Sequence, residues 1–286
     1  RINECDERKN TKHMNRFLRW SNYCADFTVF IATWLKDLDV YQKVNKSCVI
    51  LNGGDSKFFN HQNNSSWDGK SPLKIVTHHW SPHYMKGFDV YKDIDNLMTN
   101  TDWGRKIEFT YIGNLPKGFK FQKTKHLKPI SGKELGIELS KHHIYLSASI
   151  NEPAGMHHIE GALCGLPIIY RESGALPEYC MNYGISFKNN NYLPALKEMF
   201  FKYSEYKKNI YIVIIFLWTF SIGFVADLLS KLVEYPWQRI DENDAPTADA
   251  IIVLSGGGRP LSPGKSNIYE WGDPDRYFAG ISLYQK

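Results

Sequence analysis

The chain has 286 residues, of which 43% are hydrophobic, 23% charged and 14% aromatic, with a formal net charge of +5. That length accommodates two domains and a sizeable core, and the balance of apolar and charged residues excludes a disordered chain. The modest positive charge favours anionic ligands or anionic membranes, and it is too small and too scattered to point to nucleic acid. The five cysteines (Cys5, Cys24, Cys48, Cys164 and Cys180) form no CxxC pair and all precede residue 181. Their odd number argues against a disulfide framework or a zinc site and predicts reduced cytosolic thiols. The sequons at Asn45, Asn63 and Asn64 are expected to be accidental in a cytosolic bacterial protein. The chain starts at Arg1 without Met or signal peptide, and it stops at Lys286 just after what reads as the first strand and helix of a new domain. Both ends therefore give the expectation of a fragment.

In chain order, residues 11–25 read as an amphipathic helix, and Phe27 to Ile31 as a short buried strand after Asp26. Thr33 to Val44 reads as a helix, and Cys48 to Leu51 as a strand ending in Asn52-Gly53-Gly54. This is βαβ rhythm, for which a parallel sheet is the default. Residues 60–72, rich in Asn, Ser and Gly, form a linker. A second run follows, with strands at 74–78, 109–112, 144–147, 167–170 and 184–187. Its helices fall at 87–100, 132–140, after Gly155 and at 192–203. Alternation this regular predicts a doubly wound α/β sheet with ligands at the carboxyl ends of its strands.

Residues 210–226 (IYIVIIFLWTFSIGFVA) carry no charge. Seventeen helical residues span roughly 25 Å, and Leu228, Leu229, Leu232 and Val233 extend the run toward a ~30 Å hydrocarbon core. This predicts one transmembrane helix, against the alternative of a buried core helix. Lys202, Lys207 and Lys208 precede it. The positive-inside rule then places residues 1–205 in the cytoplasm and the C-terminal segment in the periplasm, across an inner membrane. Farther on, residues 248–259 (ADAIIVLSGGGR) read as a buried strand entering a triple-Gly turn. A Gly/Pro loop and a helix over 273–285 follow.

The chemistry concentrates in Glu152-Pro153-Ala154-Gly155-Met156-His157-His158-Ile159-Glu160. Pro153 suits the first turn of a helix, and Gly155 lets backbone approach a ligand. Free N–H groups at Gly155, Met156 and His157 then form an anion site for a diphosphate. Glu160, about one turn into the helix, reaches ribose hydroxyls. A capping carboxylate and a solvated helix glutamate is the bland alternative for the bare spacing. His157 and His158 are expected on the helix surface and in packing.

The neighbouring residues carry a resemblance. IYLSASINEPAGMHHIEGALCGLPIIYRESGALPEY (144–179) resembles the donor-binding signature of the group 1 glycosyltransferases, retaining enzymes of the GT-B fold. CVILNGGDSKFF (48–59), KIVTHHWSPHYMKGFDVY (74–91) and FTYIGNLP (109–116) resemble further segments of that family, in the family's order. The resemblance covers residues 1 to about 205. It implies that residues 1–58 are the end of the acceptor domain with the interdomain crossing, and that 59–205 are the nucleotide-sugar domain. By resemblance, Glu152 contacts donor-sugar hydroxyls, Lys86 neutralises the leaving diphosphate, and Glu160 holds ribose. Gly53, Gly54, Ala154, Gly155, Met156 and His157 complete the donor site, and Gly174 and Glu178 belong to the loop that follows. No metal and no cofactor beyond the donor is implied; the helix end and cations offset the phosphate charge. The loop LKPIS (127–131) is expected to line the base pocket. The family's usual Arg before the Lys-Gly pair is absent, with His78, His79 or His83 as possible substitutes. Most of the acceptor domain is also missing, which implies donor binding without turnover. The acceptor, whether sugar, lipid-linked or polysaccharide, cannot be read.

Residues 231–286 resemble the start of the SanA/YdcF/ElyC-like bacterial envelope proteins, with 206–235 as membrane helix and flanks and 236–286 as an incomplete second α/β domain. There Gly256, Gly257, Gly258, Arg259 and Arg276 form a candidate anion site, unless the glycines simply make a tight turn. Three readings follow. One is a hexosyltransferase donor domain serving envelope or surface polysaccharide. The others are a membrane-anchored envelope protein and a chimeric reading frame with no joint function.

Overall fold

The computed structural model describes residues 1–41, 46–64, 66–181 and 183–210, and the backbone of two short strands at 259–260 and 269–270. By its internal contacts the chain divides into two units, Arg1–Thr219 and Phe220–Lys286.

The first unit opens with a single helical turn, α1 (Asp6–Lys9), and then α2 (Met14–Tyr23). β1 (Phe27–Phe30) and β2 (Lys46–Val49) pair in parallel, Phe30 opposite Val49, and Ile2 bridges to Phe30 on the other side of β1. Of the helix expected over 33–44, the described residues to position 41 form only a single 3₁₀ turn, Thr33–Lys36. The apolar anchors explain this. Leu35 and Val40 are both buried yet five residues apart, a spacing one helix face does not offer. The Val40 carbonyl is also taken by the buried side chain of Asn22.

The main sheet is built from the apolar runs. Its elements are β3 (Leu73–His79), α3 (Phe88–Asn100), β4 (Ile107–Gly113), β5 (Lys125–Leu127), α4 (Gly132–Ser140), β6 (Ile144–Ser147), α5 (His157–Leu163), β7 (Ile168–Arg171), α6 (Leu176–Cys180), β8 (Gly184–Phe187) and α7 (Leu193–Phe201). The strand order is β5-β4-β3-β6-β7-β8, and every pair is parallel. Such strands are buried on both faces and so read as continuous apolar stretches. One face packs against Phe88, Tyr91, Ile94, Leu196 and Met199, and the other against Leu135, Leu139, Leu166, Leu176 and Cys180. The order reverses between β3 and β6, which opens a crevice outside their carboxyl ends.

Gly113 ends β4 at φ 145°, where an added Cβ would lie 1.9 Å from the His79 carbonyl oxygen. Only glycine lets β3 and β4 finish flush beneath the crevice. The loop between β4 and β5 is tied to α3 by Asp95. Its buried carboxylate accepts from the N–H groups of Gln122, Lys123 and Thr124 at 2.7–2.8 Å.

In the second unit, β9 (Arg259–Pro260) and β10 (Tyr269–Glu270) pair antiparallel, with Glu270 opposite Arg259. Residues 211–226 of the expected membrane span lie outside the described residues. So do the strand and triple-Gly turn at 248–258 and Arg276. Among the described residues no helix is long and apolar enough to cross a membrane.

Candidate functional site

The crevice outside β3 and β6 is a cleft of about 640 Å³. Lys86 reaches it from a 3₁₀ turn, Tyr84–Lys86, that follows β3 and is closed by Gly87 at φ 103°. Glu152 reaches it from the loop after β6. The two are buried and paired, with Lys86 Nζ donating to Glu152 Oε2 at 2.5 Å. Arg8 Nε lies 3.4 Å from the other carboxylate oxygen. Burial alone would raise the Glu152 carboxyl, but the charges of Lys86 and Arg8 outweigh it and hold the group below the ordinary carboxylate range. Burial draws Lys86 down from the ordinary lysine value, with Glu152 opposing.

Glu160 lies in the first turn of α5, as expected, and lines the same cleft. One of its oxygens is engaged, because His78 Nε2 donates to Glu160 Oε2 at 2.7 Å. Tyr145 sets up this contact. Its hydroxyl accepts from the His78 backbone N–H and lies 3.1 Å from His78 Nδ1. With Nδ1 facing the hydroxyl, the ring's outward N–H is left for the carboxylate.

α5 starts at His157 and not at Pro153, so Pro153 does not occupy a first helical turn. The stretch before it is drawn toward residues 1–58. Ala154 packs with Ile2, Phe30 and Ile31, and its carbonyl accepts from Asn52 Nδ2 at 3.1 Å. Gly155, Met156 and His157 still line the cleft, and among the described residues their N–H groups donate to no carbonyl. Two features hold Glu152 from behind. Ala175 N donates to its carbonyl at 2.8 Å, and Gly174 sits at φ 60°, where a Cβ would lie 2.5 Å from the Glu152 N and O.

Of the surface and packing roles expected for His157 and His158, only packing is found. His157 and His158 are buried, His157 against Ser147 and Tyr145 of the sheet and His158 against Tyr179 of α6. His157 Nε2 meets the Ser147 hydroxyl at 2.8 Å, and His79 Nε2 meets the Tyr91 hydroxyl at 2.7 Å. Burial, reinforced by neighbouring cations, pushes the His79 and His157 pKa values well below 6.5. His158 is lowered to about 4, mainly by burial, and neither ring nitrogen has a hydrogen-bond partner. Among the described residues no group of three His, Cys, Asp or Glu side chains is arranged to hold a metal ion.

Gly53 lines a smaller adjoining cavity, and Gly54 packs against α5, where a Cβ would meet Leu163 at 2.5 Å. Pro129, Ile130 and Ser131 of the loop 127–131 line the main cleft. Glu178 fastens α6 to residues 1–58 by accepting from the Thr33 N–H and hydroxyl at 2.7 Å each. Sequence reasoning missed Arg8 and Tyr145. Arg8 brings a guanidinium beside Glu152, whereas the loop before Lys86 has none. Its partner is 144 residues away, so no local signal could have marked it.

No protein-family model matches the chain, and no curated protein matches it. Solved structures do. A sucrose-phosphate synthase from Thermosynechococcus elongatus matches at 14% identity over 82% of this chain and 64% of that chain, with a TM-score of 0.56. A glycosyltransferase from Rickettsia africae ESF-5 matches at 17% identity over 77% and 67%, with a TM-score of 0.55. HepE of Anabaena, solved in complex with UDP and glucose, matches at 13% identity over 73% and 63%, also with a TM-score of 0.55. The parallel-sheet α/β fold is thus shared with glycosyltransferase structures. The chain spans less than two thirds of the length of the synthase and of HepE. Nothing in these comparisons supports the second resemblance, that of residues 231–286.

Proposed function

We propose that residues 1–210 bind a nucleotide-diphosphate sugar in the 640 Å³ cleft, as the donor half of a retaining glycosyltransferase. The observation that carries this reading is the convergence of Lys86, Glu152, Glu160 and three undonated N–H groups at the switch point of a parallel sheet. HepE, whose fold this chain shares, is solved with UDP, and that supports the same ligand class.

In this reading the N–H groups of Gly155, Met156 and His157 hold sugar and phosphate oxygens. Glu160 accepts from ribose hydroxyls with the oxygen that His78 leaves free. Glu152 accepts from sugar hydroxyls. In the transfer, the bond between the anomeric carbon and the diphosphate oxygen breaks and its electron pair leaves on the diphosphate. The acceptor oxygen bonds to the same face of that carbon and passes its proton to the departing diphosphate oxygen. Lys86 stabilises the charge that develops on the leaving group, in a site where burial strengthens the effect. Arg8 keeps Glu152 ionised when Lys86 turns to phosphate.

The acceptor is a sugar, a lipid-linked sugar or a polysaccharide of the cell envelope. Residues 210–226 anchor the protein in the inner membrane, with residues 1–205 cytoplasmic. Partition of the chain into detergent, abolished by deleting 210–226, checks the anchor.

Titration calorimetry with UDP, GDP and ADP tests the donor site. One of them binds, and Glu160→Ala weakens it roughly 10- to 150-fold, the worth of a hydrogen bond to a charged group. Equal affinity in the variant sinks the assignment.

A further inference from the structure

The histidines that precede Lys86 take different partners. His79 turns its ring onto the Tyr91 hydroxyl, and His83 Nδ1 accepts from the Met85 N–H at 3.3 Å. His78 reaches across the switch point of the sheet. From the end of β3 its ring meets Glu160 of α5. The ring is thus committed to a carboxylate and not to a phosphate.

The ring is itself held from behind. The fully buried Tyr145 hydroxyl accepts from the His78 backbone N–H and faces Nδ1, both at 3.1 Å. With the hydroxyl proton on Nδ1, the ring's own hydrogen sits on Nε2 and points at Glu160 Oε2. The reverse tautomer would aim a nitrogen lone pair at a carboxylate oxygen, which repels it. The His78 and Glu160 side chains are 11% and 19% exposed, and both residues line the cleft. Among the described residues Glu160 Oε1 carries no hydrogen bond. A glutamate on an open helix face swings among rotamers, so its oxygens keep no fixed direction. Held by one oxygen from the strand side, this carboxylate keeps the other at one place in the cleft.

We propose that His78 is a positioning residue that sets nucleotide selectivity: by anchoring Glu160 Oε2 it aims Oε1 at the ribose hydroxyls, so that ribonucleotides are preferred over forms that lack those hydroxyls. This rests on the donor reading of the cleft. It deepens that reading by placing the discrimination in a histidine that acts through Glu160, with Tyr145 fixing its tautomer. A mere tie between β3 and α5, serving the fold alone, would instead give equal losses for every nucleotide when it is broken.

Calorimetry on the full chain uses whichever of UDP, GDP and ADP binds, together with its 2′,3′-dideoxy form. The parent should prefer the ribonucleotide roughly 10- to 150-fold, the range for a hydrogen bond to a charged group. His78→Phe keeps a ring and removes the N–H. It should weaken the ribonucleotide roughly 2- to 12-fold, the worth of one ordinary hydrogen bond, and leave the dideoxy form unchanged. His78→Gln puts an amide N–H where Nε2 stands and should restore most of the preference. Equal weakening of both nucleotides in His78→Phe makes the contact a structural tie and overturns the proposal. So does an unchanged preference, or a Gln variant as impaired as the Phe variant. Nitrogen NMR of the parent's imidazoles checks the geometry without any variant: a neutral His78 carrying its hydrogen on Nδ1 also overturns it. Failure of the donor reading looks different. In that case no nucleoside diphosphate binds the parent, or Glu160→Ala leaves the preference intact, and the proposal falls with the reading.

Discussion

In residues 59–210 a six-stranded parallel sheet is covered on both faces, and its core runs through large side chains such as Tyr91, Tyr111, Phe109 and Leu139. In residues 1–58 two parallel strands carry a small core of Ile2, Cys5, Phe30, Ile31, Leu35 and Val40, closed by Ala154 from the other region. The larger region holds itself together, whereas the smaller one is held largely by its seam. That seam is polar: Glu178 to Thr33, Tyr179 to Ile31 and Asn52, and Asn52 to Ala154. The cleft opens at the same seam, so the residues that fasten the small region also shape the site. The difference teaches that the large region's apolar core stands apart from the site, whereas the Lys86–Glu152 pair and the seam carry stability and site geometry together.

The sharpest way to break this comparison is Lys86→Met. It leaves Glu152, 2% exposed, with only the more distant Arg8 as a partner. Removing one member of a buried pair costs about 3–5 kcal/mol. The urea midpoint should fall accordingly, and the Glu152 pKa should rise. An unchanged midpoint would show that the pair is not a structural tie.

Acid is the second lever and acts on the large region. His142, His143 and His158 are lowered to about 4, mainly by burial, against about 6.5 when unfolded. The unfolded chain therefore takes up these protons first. Stability is full above about pH 6.5 and declines as pH falls toward 4, by on the order of 3 kcal/mol for His158. His158→Phe, with no ring nitrogen left to satisfy, should flatten part of that decline in thermal melts between pH 4 and 7. A slope identical to the parent's would refute the burial account.

The mildest test sharpens the seam. Tyr179 donates to the Ile31 carbonyl at 2.7 Å and accepts from the Asn52 N–H at 2.8 Å. Tyr179→Phe should cost about 1 kcal/mol. The loss should appear as faster amide exchange in residues 27–52 and not in β3 or β6. Uniform acceleration across both regions would mean that they unfold as one.

Much of the large region was legible because its strands are continuous apolar runs bounded by turn residues, as in Leu73–His79 and Ile144–Ser147. β5 was not, because Lys125, His126 and Leu127 have no apolar pattern and become a strand only by pairing with Thr110, Tyr111 and Ile112. α6 was hidden for a related reason, as Leu176–Cys180 is a single short turn held by Leu176 and Cys180 in the core. In the site, Glu152, Glu160 and Lys86 carried a spacing and a neighbourhood that could be read. The His78–Glu160 contact joins residues 82 positions apart, and the helix start at His157 depends on where Ala154 is pulled. Those are tertiary facts with no local signature.

Gly174 has a further consequence for binding. Its φ of 60° lets the β7–α6 loop lie directly on the Glu152 backbone, while Lys86 and Arg8 fix the carboxylate. The rotamers of Glu152 are therefore restricted during folding, before any ligand arrives. A flexible glutamate loses up to ~2 kcal/mol of side-chain entropy when it is immobilised. Here that loss belongs to the folding equilibrium, so a ligand meets a preorganised carboxylate and spends its contacts on recognition.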